Sequence, residues 1–256
     1  MILNEVKEEY VKDLISKNQR VDGRKFDEYR AIKVEKGIVP NAEGSALAHI
    51  GDTKVVAGVK FDLMTPFKDR PNEGVVMFNA EFTPVAHPNF NPGPPNEHSI
   101  ELARVVDRGI RSAETIDVKK FFIEEEKVYG LFVDLYVLDN SGNLIDTAAL
   151  AAMAALRNTK VPKYEDGSLV RDKFSGNLEL SRDVVATSVE KIDGKFVVDA
   201  NDEEEVASNG RLTLATCSDD LLCAGQKSGR AGLYKDELLQ LIDLVFQKRK
   251  DLVKHL

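Results

Sequence analysis

Alternating apolar segments joined by glycine turns occur in both halves of this 256-residue chain, and helical patterns follow each set. In the first half, residues 46–50 and 54–61 flank Gly51-Asp52. In the second, residues 184–192 and 196–199 flank Asp193-Gly194. Period-two apolar runs joined by such a pair form antiparallel hairpins. A hairpin leaves one face apolar, and a helix or a second sheet must cover it.

The rest of the chain supplies the cover. Residues 5–18 carry Val6, Tyr10, Leu14 and Ile15 at helical spacing, ahead of the charged turn Arg20-Val21-Asp22-Gly23-Arg24. Residues 32–34, 75–85, 131–138, 211–216 and 221–224 read as further strands. The segment Phe90-Asn91-Pro92-Gly93-Pro94-Pro95 sustains neither a helix nor a sheet interior, and Asn96 after it is a good N-cap for a helix to about residue 115. Asn140-Ser141-Gly142-Asn143 turns the chain into an alanine-rich helix over 145–157. A last helix over 234–252 sets Leu238, Leu241, Ile242, Val245 and Leu252 on its apolar side. This order predicts an α+β protein of two related lobes. The first spans 1–162 with its N-terminal helix at 5–18, and the second spans 183–256. Between them a crossing segment, 163–182, begins just after Pro162 and holds Gly167, Gly176 and many charges. No sequence repeat is visible, so kinship of the lobes rests on element order alone.

Composition narrows the function. With 43% hydrophobic residues the chain can bury one large core or two modest ones. The longest apolar run, 148–156, is well short of the roughly 18 residues a membrane span needs, and residues 1–18 are charged rather than signal-like. A cytoplasmic protein is expected. A net charge of −8 argues against gripping nucleic acid by bulk charge, so any such contact must be local or shared with a more basic partner. Two cysteines, Cys217 and Cys223, read as buried thiols because no second pair completes a zinc site. His49, His87, His98 and His255 show no ligand or triad spacing.

Four places could carry chemistry. On a helical wheel Arg104, Arg108 and Arg111 fall within about 60° of one another, opposite Leu102, Val106, Ile110 and Ala113. Guanidinium forks suit phosphate oxygens, so the stripe could track a nucleic-acid backbone. From spacing alone the plainer alternative is a solvated face paired with Glu101, Asp107 and Glu114. Lys68 and Arg70 lie in a loop bounded by Pro66 and Pro71, which could clamp a phosphate or be merely solvated. Asp199, Asp202, Glu203, Glu204 and Glu205 follow a strand, either as magnesium ligands or general acids, or as an exposed acidic loop. At the start of the alanine-rich helix Gly142 would suit an anion site, but Asp146 in the first turn would take up the favourable field and repel inorganic phosphate; the plainer alternative is an ordinary stabilising acid of a first helical turn.

Residues 92–111, from Pro92-Gly93-Pro94-Pro95-Asn96-Glu97 to Arg111, closely resemble the hallmark of the non-catalytic RNase PH-like subunit of the archaeal exosome. Residues 20–24 resemble that family's Asp-Gly-Arg turn, 43–52 its Gly-Ser-Ala-Leu hairpin, 71–84 its Pro-Asn-Glu-Gly strand region, and Gln226-Lys227-Ser228-Gly229 its C-terminal motif. The resemblance covers essentially the whole chain. It implies a two-lobed RNase PH fold: an N-terminal lobe like ribosomal protein S5 domain 2 and a smaller RNase PH C-terminal lobe. It also implies a hexameric ring of three heterodimers with a catalytic sister, RNA-binding cap subunits, and single-stranded RNA degraded from its 3′ end by phosphorolysis. No cofactor, metal or membrane is implied.

In active relatives a Gly-Gly-Ser/Thr-Arg-Thr-Ala motif holds phosphate. The matching stretch here, Gly142-Asn143-Leu144-Ile145-Asp146-Thr147-Ala148, has aspartate in place of arginine, a degenerate phosphate site at Gly142 and Asp146. The relatives' two catalytic aspartates match Asp199 and Glu205, to which no catalytic role is assigned. The family's RNA-binding arginines match Arg104, Arg108 and Arg111, Arg108 foremost. Two further readings stay open: an architectural spacer whose arginines make interface salt bridges, and an active phosphorolytic exoribonuclease assisted by Asp199, Glu205 and magnesium.

Overall fold

The computed structural model describes residues 2–218 and 221–256, with side chains from residue 5 onward. After helix α1 (Ile2–Ser16), strands β1 (Ile32–Lys36), β2 (Gly44–Ile50) and β3 (Thr53–Met64) form an antiparallel meander. Ile50 pairs with Thr53, so Gly51 and Asp52 make the turn, with Gly51 at φ 58. Strand β4 (Val75–Phe82) leads through helix α2 (Glu97–Ser112) and β5 (Phe122–Glu124) to β6 (Lys127–Asp139). The sheet order is β1-β2-β3-β6-β4, with β5 on β6. Strand β4 lies parallel to β6, which the α2 crossover between them permits.

Helix α3 (Leu144–Arg157) follows, then a hairpin of β7 (Lys160–Glu165) and β8 (Ser168–Asn177). The second sheet, in the order β10-β9-β11-β12, contains β9 (Val184–Ile192), β10 (Lys195–Val198), β11 (Gly210–Cys217) and β12 (Leu221–Gly229). Short helix α4 (Asp202–Ala207) sits between β10 and β11, and α5 (Lys235–Val253) closes the chain.

The layers follow from side-chain size and period. Every residue of α3 from Ile145 to Leu156 is buried, because the helix is apolar all round and lies between the two sheets. Its alanines let both sheets approach. Strand β9 is buried on both faces: Val184 and Ala186 join the core around α3, while Val189 packs with Leu241 and Val245 of α5.

The crossing segment 163–182 is mostly hairpin, formed by the end of β7 and all of β8. Strand β8 is largely exposed on both faces, so it lacks the alternation that marks a half-buried strand. One expectation needs correction: the acidic run is not an exposed loop, since Asp202–Ala207 is helical and Asp199 and Glu204 are fully buried. Of the thiols, Cys217 is buried and Cys223 half-buried.

Candidate nucleic-acid interface

Helix α2 begins where the proline-rich segment ends. Asn96 adopts an extended backbone and its side chain accepts from the Ser99 amide at 2.9 Å, capping the helix. Leu102, Ala103, Val106, Gly109 and Ile110 face the core. Gly109 lets the helix come close to the second sheet, since a Cβ there would lie 3.2 Å from that of Ala215.

The opposite face presents the three arginines, all exposed. Arg108 Nη1 donates to Gln226 Oε1 on β12 at 3.1 Å. Arg111 forks onto Asp107 at 2.7 and 3.2 Å and donates to the Val76 carbonyl on β4 at 3.0 Å. Arg104 has no ion-pair or hydrogen-bond partner among the described residues. Of the acids that could neutralise the stripe, Asp107 alone does so among the described residues. Glu101 instead accepts from Ser228 Oγ at 3.1 Å. The stripe thus runs between the outer strands of the two sheets, β12 and β4.

Lys68 and Arg70 are exposed in the loop between β3 and β4. Arg70 stands 3.7 Å from Asp69 and 3.9 Å from Glu73, too far for strong pairing. Arg111 donates to the carbonyl of Val76, two residues beyond Gly74 where this loop ends.

Behind the stripe lies a buried polar network around the start of α3. Gly142 has φ 87, and a Cβ on it would sit 2.5 Å from the Ala200 carbonyl oxygen, so the turn requires glycine. Asp199 accepts from the Arg30 amide (2.8 Å), Arg30 Nε (2.9 Å) and Nη2 (2.8 Å), Arg24 Nη1 (2.9 Å) and Asn143 Nδ2 (2.7 Å). Five donors saturate a carboxylate. Burial raises its pKa, but Arg30 outweighs burial and holds it below the usual range. Arg20 and Glu204, both fully buried, exchange a two-pronged pair at 2.8 and 2.6 Å, and Arg20 also donates to the carbonyls of Val198 and Asp199.

Asp146 sits in the same network: its Oδ2 accepts from Tyr29 Oη (2.8 Å), the Ser188 amide (3.0 Å) and Asn143 Nδ2 (3.1 Å), tying the start of α3 to β9. Its Oδ1 is buried with no partner among the described residues, and burial raises the carboxyl to about 6. A first-turn acid close enough to a sheet finds amide donors there, and these draw it inward. Glu205 also reaches the helix end, where its Oε1 accepts from the Asn143 amide at 2.8 Å.

Residues 28–162 match the first domain of the RNase PH 3′ exoribonuclease family, and residues 184–248 match its second. The chain belongs to the RNase PH family. Its two-lobed α+β architecture is that family's fold. The chain is 47% identical over 246 residues to the exosome complex component Rrp42 of Archaeoglobus fulgidus, covering 95% of this chain and 93% of that one. It superposes on a chain of an Archaeoglobus fulgidus exosome with RNA bound to the active site, with a TM-score of 0.92, 42% identity and 99% of each chain covered. An archaeal exosome core chain gives a TM-score of 0.88 at 41% identity, covering 99% of this chain and 98% of that one.

In this RNase PH family member, the stripe, the Arg20–Arg24 turn, the 199–205 segment and Asn143, as part of the turn before α3, were visible in the sequence, but Arg30, Tyr29 and Ser188 were not. Nothing local marks those three, because their partners are far away in the chain.

Proposed function

We propose that this chain is a non-catalytic subunit of an exosome ring, holding RNA phosphates on Arg104, Arg108 and Arg111 while a catalytic RNase PH-like sister degrades the strand 3′ to 5′ by phosphorolysis. Three such heterodimers form the ring, capped by RNA-binding subunits, in the cytoplasm. The observation that carries the reading is the exposed arginine face of α2, largely unneutralised and lying between two sheet edges. The relatives agree with it: one similar structure is an exosome with RNA bound to the active site. Lys68 and Arg70 extend the basic surface at the Arg111 end.

Asp199 and Asp146 argue against independent catalysis. Asp199 has no lone pair left for a metal or a substrate proton, and Asp146 is committed to holding α3 to the second sheet. Purified chain incubated with poly(A) and inorganic phosphate is expected to release no nucleoside diphosphate. Release by the chain alone would favour an active exoribonuclease.

A purely architectural role has one observation in its favour: Arg108 and Arg111 already touch Gln226, Asp107 and Val76. Those contacts leave donors on each fork free, and Arg104 none engaged. A ring spacer would fall apart on Arg108→Ala, whereas an RNA contact would only weaken binding.

A further inference from the structure

Strand β12 ends the second sheet beside α2, and it reaches the helix through Gln226 and Ser228. Alternate residues of a strand share a face, so these two look the same way. Gln226 Oε1 accepts from Arg108 Nη1 at 3.1 Å, and Ser228 Oγ donates to Glu101 Oε1 at 3.1 Å. Lys227 between them lines a cavity against Leu241 of α5, on the other face of the sheet. The two contacts fix the register of the strand against the helix.

On a helix surface the neighbours of a residue lie three and four positions away. For Arg104 these are Ile100, Glu101, Asp107 and Arg108, so Glu101 and Asp107 are the acids it can pair with inside α2. Both are engaged elsewhere, Asp107 by Arg111 at 2.7 Å and Glu101 by Ser228. Nor does another cation compete for Glu101. In the cleft that Glu101 helps to line, Lys7 stands 3.3 Å from Glu203, and Arg211 faces Glu190 at 3.7 Å and Glu205 at 3.8 Å.

We infer that Ser228 is a positioning residue for the RNA contact: by holding the Glu101 carboxylate against β12, it keeps Arg104 clear of its counter-ion within the helix and open to a phosphate. The inference rests on the reading that α2 holds RNA phosphates. Without the hydroxyl, the carboxylate loses its partner on β12 and turns to Arg104, one helical turn away. There it occupies the guanidinium and repels an incoming phosphate. Exposed pairs of this spacing are weak, so the change in RNA affinity is modest, but it has a definite sign.

The ring reconstituted with its catalytic partner is measured for single-stranded RNA affinity across a salt series, with particle mass followed throughout. Ser228→Ala is expected to weaken binding at low salt about twofold and to make the salt slope shallower by up to about 0.7, the share of one phosphate. Ser228→Thr keeps the hydroxyl and is expected to bind like the parent. Adding Glu101→Gln to Ser228→Ala removes the competing charge and is expected to restore affinity and slope. In an Arg104→Ala ring, Ser228→Ala is expected to change nothing further, a result that a general loosening of the helix would not give. Ser228→Ala binding at parental affinity while Arg104→Ala binds weakly overturns the inference alone, as does an equal loss in the Arg104→Ala background or a ring that comes apart on Ser228→Ala. Arg104→Ala binding like the parent overturns the RNA contact at this arginine, and the inference with it.

Discussion

Arg20 and Glu204 lie 184 residues apart and are both fully buried. A buried ion pair is costly to assemble and more costly to halve, because the survivor keeps its charge without a counter-charge. Arg20→Ala is therefore expected to destabilise the fold by about 3–5 kcal/mol in urea denaturation. Asp146 makes a different prediction. Its burial raises the folded carboxyl to about 6, from 3.8 when exposed. For a raised acid the stabilising state is the protonated one, fully present below pH 4 and lost as pH climbs through 6. Asp146→Asn removes that titration and gives the orphaned Oδ1 position a donor. Relative to the parent, the variant is expected to gain on the order of 2–3 kcal/mol between pH 4 and pH 7, read from denaturation midpoints. A constant difference across that range would show that Asp146 does not titrate there. At this scale the sequence was legible by residue type but not by partner. Asp146 was visible as a first-turn acid. That its carboxylate points toward Ser188 depends on a strand forty-two residues later.

Helix α3 was legible because an alanine-rich pattern survives any environment, whereas its complete burial became clear only with both sheets in place. Ala151 and Ala152 are fully buried. Ala152→Leu forces extra volume into a close-packed layer, and a loss of about 1–3 kcal/mol is expected by thermal or urea unfolding. The hairpins at Gly51-Asp52 and Asp193-Gly194 were legible because their turns need positive φ, which Gly51, Asp193 and Gly194 all adopt. The elements that were missed share one cause. Strand β8 faces solvent on both sides and so has no period to read, and α4 is a short acidic segment whose burial depends on Arg20. The arginine face of α2 was legible from spacing. The strands that flank it were not, because Gln226 and Val76 reach it only through the fold.

The whole molecule carries a net charge of −8, yet its proposed RNA contact is cationic, so binding must be local and confined to the arginine face of α2. A local contact has a countable salt dependence: each phosphate neutralised on single-stranded RNA contributes about 0.7 to the slope of log affinity against log salt. The test is to reconstitute the ring with its catalytic partner, replace Arg104, Arg108 and Arg111 together by alanine, and measure single-stranded RNA affinity across a salt series while particle mass is followed. The account predicts an intact ring, weaker binding at low salt, and a slope shallower by about 2. Unchanged affinity and slope in an intact ring, or weakening that appears only because the ring comes apart, would contradict it.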